Sequence, residues 1–143
     1  MILPDVNVLV YAFRREAESH ERYAAWLADL VTGSDELALH DLTLLGFVRI
    51  VTNRRIVATP APTGLALDFV TRLRTARRAR WLPAGSASWE RFGEMAGTDR
   101  AIAANLVPDA FIAGLARTHG CRLATADRGF ARYPGLNWFD PAA

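Results

Sequence analysis

Apolar positions fall into two kinds of segment that alternate along the chain. Short runs at Ile2-Leu3, Leu37–His40, Trp81-Leu82, Arg122–Ala126 and Asn137–Phe139 are too brief for helices and read as buried strands. Longer segments lie between them. Val6–Arg14 and Leu42–Thr52 read as strongly apolar helices. Ser19–Val31 reads as an amphipathic one, with Tyr23, Trp26, Leu27 and Leu30 at helical spacing. Thr63–Arg78, Ser86–Ala96 and Pro108–His119 complete the set, with Ser19 and Ser86 as expected N-caps, Pro108 in a first turn and Gly120 just past a helix end. Strand alternating with helix predicts a parallel sheet covered on both faces, a three-layer α/β/α architecture. Nothing reads as a linker or repeat, so one domain is expected over residues 1–143. Ligands of such sheets bind beyond the carboxyl ends of the strands, where the strand order reverses.

Composition narrows the chemistry. All 17 basic residues are arginine, and the absence of lysine excludes P-loop nucleotide sites and Schiff-base catalysis. No HExxH zinc helix and no G-x-S-x-G elbow is present. His20, His40 and His119 read as structural or surface residues. A single cysteine, Cys121, cannot form an internal disulfide, which suits a reducing, cytoplasmic setting. The apolar N-terminus lacks a basic leader and is interrupted by Asp5, and no run of about 18 apolar residues exists, so neither a signal peptide nor a membrane span is expected.

Three carboxylates stand where the sheet would bring them together. Asp5 follows the first strand, Asp127 follows the strand from Arg122, and Asp109 sits in the first turn of the helix leading into that strand. Each alone has an ordinary role as a cap or turn residue, or beside a helix macrodipole. Together they repel: two carboxylates 4–5 Å apart do so by roughly 3–4 kcal/mol at an effective dielectric near 20. A gathered trio needs a cation or a bound proton. An all-oxygen set without histidine or cysteine suits Mg²⁺ or Mn²⁺, ions that activate water and orient a scissile phosphate.

The order of these pieces resembles a known family. Asp5-Val6-Asn7, then Pro108-Asp109-Ala110 ahead of Ala113-Gly114-Leu115-Ala116, then Leu123-Ala124-Thr125-Ala126-Asp127 is similar to a PIN-domain ribonuclease. The segment from Leu44 to Asn53 resembles the matching helix of VapC toxins of toxin–antitoxin pairs. The resemblance implies an endoribonuclease using Mg²⁺ or Mn²⁺. Asp5, Asp109 and Asp127 would be its metal ligands and catalytic groups, and Asn7 and Thr125 would orient the carboxylates. It also implies an RNA substrate, a VapB-like antitoxin and a homodimer. One position departs from the pattern: the family's usual helix glutamate is Gly46 here, followed by Phe47 and Arg49. Asp41 either supplies the missing charge or serves as the N-cap of the next helix. Without a fourth acid, a module that binds RNA or antitoxin but does not cut is the alternative reading.

Charge is uneven. Phe69 to Trp89 holds Arg72, Arg74, Arg77, Arg78 and Arg80 and no acid, leaving twelve arginines against fifteen acids elsewhere. Beside Trp81, this strip is a candidate for RNA phosphates or for an acidic antitoxin segment, with Arg14-Arg15 and Arg54-Arg55 as lesser candidates. The other reading is a solvated helix end whose arginines satisfy terminal carbonyls.

Overall fold

The computed structural model describes residues 1–143. Five strands, β1 (Ile2–Pro4), β2 (Leu37–Leu39), β3 (Ala79–Trp81), β4 (Arg122–Ala124) and β5 (Trp138–Phe139), pair in parallel in the order β3-β2-β1-β4-β5. The chain builds outward from β1 to β3, then returns to place β4 on the other side of β1. The reversal therefore lies between β1 and β4. Six helices, α1 (Val6–Phe13), α2 (His20–Thr32), α3 (Asp41–Val51), α4 (Thr63–Arg74), α5 (Gly85–Thr98) and α6 (Leu106–Thr118), cover the sheet.

Strand alternation sorts the core into two layers. Ile2, Leu37, Leu39 and Ala124 join a cluster with Leu9, Phe47 and Leu73 from α1, α3 and α4. Leu3, Ala38 and Leu123 point the other way, to Ile112, Leu115 and Met95 from α6 and α5. Because both faces are covered, every residue of β1 and β2 is buried, which is why these strands read as continuous apolar runs. The three-layer α/β/α expectation holds.

Several local expectations fail for stated reasons. Ser19 has φ 59° and makes no side-chain cap bond, so the turn geometry before α2 overrides its capping preference. Ser86 lies inside α5, which begins at Gly85. Neither reading of Asp41 matches its position. His40 caps α3 by accepting from Leu42 N–H at 3.1 Å through Nδ1, and Asp41 is an exposed first-turn residue. The helix from Thr63 stops at Arg74 rather than Arg78, because the chain must turn to pair β3 with β2. Gly120 behaves as expected: at φ +65° it permits bonds from its own N–H to Arg117 O and from Cys121 N–H to Ala116 O, which close α6.

Candidate active site

The reversal between β1 and β4 opens a cleft of about 770 Å³. Asp5, Asn7, Asp109 and Asp127 line it, with Gly46 and Arg49 from α3 and Arg14 beyond α1. Topology supplies the convergence: Asp5 leaves β1, Asp127 follows the end of β4, and Asp109 stands in the opening turns of α6.

A hydrogen-bond network fixes the floor. Asp5, only 4% exposed, accepts from Val6 N–H at 2.7 Å on Oδ1. Its Oδ2 accepts from Thr125 Oγ1 at 2.8 Å and from Asn7 Nδ2 at 2.9 Å. The fully buried Thr125 hydroxyl also accepts from Asn7 Nδ2 at 3.2 Å and from Asp127 N–H at 3.1 Å. One donor and two acceptor positions are thus all used. Asn7 Oδ1 accepts from Ala126 N–H at 3.1 Å, tying the start of α1 to the end of β4. Asp127 is turned by its own bond from Gly129 N–H to Oδ1, 2.7 Å.

The acids feel one another. Burial, then the charges of Asp5 and Asp127, push the Asp109 carboxyl up to about 6. Burial also raises Asp5, opposed by the bonds from Thr125, Val6 and Asn7, with Asp127 adding to the rise. No arginine pairs with any of the three. As the side chains stand, no three His, Cys, Asp or Glu groups close around a metal-sized point. The donor set is nevertheless acidic and all-oxygen, and Mg²⁺ takes only one or two carboxylates beside its waters. The residues fit such an ion in an open, water-completed shell.

Asp41 is not among the cleft residues. The helix position that would carry a fourth acid is Gly46, and the reason for glycine is steric: a Cβ there would stand 2.9 Å from Val6 Cγ2. One turn further along α3, Arg49 reaches the cleft, exposed and unpaired with any carboxylate. Sequence reasoning passed over it as a site residue, although Gly46 and Arg49 share a face at i, i+3 spacing. The exposed side chains Leu42, Leu45 and Ile56 form an apolar rim.

The five clustered arginines lie elsewhere. None of them lines the acidic cleft. Arg72 borders a neighbouring groove of about 950 Å³ with Arg14 and Arg15. Its guanidinium stands 5.8 Å from the Phe69 ring, and that of Arg74 5.8 Å from Trp81. Arg80 pairs with Glu36 at 3.1 Å.

The chain is similar to known proteins over nearly its whole length. A family model described as the PIN domain matches residues 2–136. Ribonuclease VapC43 of Mycobacterium tuberculosis is 38% identical over 141 residues, covering 99% of this chain and 95% of that protein. Ribonuclease VapC33 of the same species is 33% identical over 144 residues, covering 99% and 98%. Among solved structures, VapBC2 from Rickettsia felis, bound to a DNA fragment from its promoter, superposes with a TM-score of 0.72 at 19% identity, covering 98% of each chain. The chain belongs to the PIN-domain family, in the branch whose relatives are named VapC ribonucleases.

Proposed function

We propose that this chain is a VapC-type endoribonuclease that hydrolyses RNA phosphodiester bonds, is neutralised by a VapB-like antitoxin and depends on Mg²⁺ or Mn²⁺. The observation that carries the reading is the convergence of Asp5, Asp109 and Asp127 in one cleft with no paired arginine. That is a site whose charge calls for a hard cation. The relatives named ribonucleases span nearly the whole chain, which supports RNA as the substrate.

In this reading Asp5, Asp109 and Asp127 would hold the ion between them, directly or through its waters, and the ion would lower the pKa of bound water and offset charge on the scissile phosphate. Asn7 and Thr125 aim the Asp5 carboxylate by donating to it, and those bonds oppose the rise that burial causes. One of the three carboxylates would also accept the proton from the attacking water. Arg49 and Arg14 attract the RNA backbone into the cleft. The apolar rim of Leu42, Leu45 and Ile56 suits an antitoxin segment or a second copy of the chain in a homodimer.

Cleavage of RNA with Mg²⁺, with Mn²⁺ and with EDTA, on wild type and on Asp5→Asn, tests the proposal. Metal-dependent cutting lost in the variant is the expected result; cutting that persists in EDTA overturns it. Gly46 favours the second reading, a module that binds without cutting, since it removes one acid from the cleft. Wild-type protein that binds RNA or antitoxin but never cleaves with either metal would select it.

A further inference from the structure

A second charged cavity lies at the opposite end of β4. It measures about 320 Å³ and is lined by Arg91 of α5, Arg117 of α6, Gly120, Cys121, Gly135 and Asn137, with no acidic residue among its walls. Asp127 lies past the carboxyl end of β4, whereas Gly120 and Cys121 precede its amino end. The cavity is therefore separate from the acidic cleft.

Both guanidiniums lack partners. Neither arginine pairs with a carboxylate. Arg91 Nε is buried without any hydrogen-bond partner, an orphan donor of a charged group. Arg117, near the end of α6, has the position of a residue that caps carbonyls, but Gly120 and Cys121 already satisfy Arg117 O and Ala116 O. Its guanidinium is instead shaped by Gly135, whose φ of +77° and missing Cβ leave room for it. A Cβ there would stand 3.3 Å from Arg117 Nη2. Arg91 Nε is itself enclosed, so what faces the cavity is a pair of like charges that water alone leaves unneutralised. A tetrahedral oxyanion offsets that charge and accepts from the guanidinium N–H groups that line the cavity.

We propose that Arg91 and Arg117 form a phosphate-binding site, for the phosphate group of a free phosphorylated compound or of an RNA strand leaving the cleft. The binding itself does not depend on the metal site or on ribonuclease activity; only the assignment of its source rests on the proposed function.

Thermal unfolding of the full chain in EDTA, titrated with inorganic phosphate against sodium chloride of equal ionic strength, tests it. EDTA keeps any metal in the acidic cleft from recruiting phosphate. Wild type should gain roughly 4 °C at phosphate ten times above Kd. Arg91→Gln and Arg117→Gln should each bind at least about tenfold more weakly. An equal rise in wild type and variants, or none in wild type, overturns the proposal. If the variants fold poorly, arginine Hε resonances of the wild type decide: those of Arg91 and Arg117 must shift on phosphate addition, and their constancy overturns the site. The source follows from RNA cleavage by the same variants. A raised KM assigns the phosphate to RNA, and an unchanged KM assigns it to a free compound.

Discussion

The acidic cleft and the arginine segment are the two most charged features of the sequence, and folding treats them in opposite ways. Asp5 lies 104 positions from Asp109 and 122 from Asp127, yet the strand reversal focuses all three on one cavity. Arg72 to Arg80 are adjacent in sequence, yet the turn after α4 scatters them among Phe69, Trp81 and Glu36. Topology concentrates the first set and local contacts dissipate the second. Charge at strand ends therefore says more about function here than charge density along the chain.

If that contrast is right, single changes in the cleft have large effects and changes in the arginine segment small ones. Asp5→Asn should lower RNA cleavage on the order of 10²–10³-fold with the fold retained but destabilised by about 1–3 kcal/mol, since its amide leaves a buried donor unsatisfied, read by single-turnover kinetics and circular dichroism. Thr125→Val removes a donor to Asp5 and leaves Asp127 N–H without its acceptor. It should weaken metal binding or activity roughly 10–100-fold, measured by Mg²⁺ titration.

Next in size is pH. Asp109 titrates near 6 in the fold against 3.8 as an isolated group, so the native chain binds this proton more tightly than the unfolded one. The stability from that proton is present below about pH 4 and is lost as pH rises through 6. The metal-free Tm should fall over that window, and Asp109→Asn should flatten the fall. Metal affinity runs the other way. Below pH 6 it should drop about tenfold per unit, as proton and ion compete for one carboxylate.

Restoring the family's acid is a smaller test. Gly46→Glu gains about 1 kcal/mol of helix propensity but crowds Val6, an overpacking that costs about 1–3 kcal/mol. A net loss of about 1 kcal/mol is expected in chemical denaturation, relieved when Val6→Ala is added. Smallest is Arg80→Gln, which breaks an exposed pair with Glu36 and should change stability by less than about 1 kcal/mol.

The central strands β1 and β2 were legible because they are covered on both faces and so carry unbroken apolar runs, and the site was marked by Asp5 and Asp127 past strand ends. Gly120 was legible because only a left-handed residue closes α6 there. What stayed hidden was set by distant contacts. Ser19 fails as a cap because its backbone is held at positive φ. The helix after Thr63 ends early because β3 must reach β2. Arg49 reads as an ordinary helix arginine until α3 is docked beside β1. The convergence of Asp5, Asn7 and Thr125 was readable as a set, but the Thr125 hydroxyl serving three partners needed coordinates.

The packing of Val6 against the bare backbone of Gly46 also couples these two positions under substitution. With a branched side chain filling the space beside that helix position, an acid introduced there alone carries a crowding penalty. A change that first shrinks the neighbour removes it, so the order of the two substitutions sets how costly the route to a four-acid cleft is.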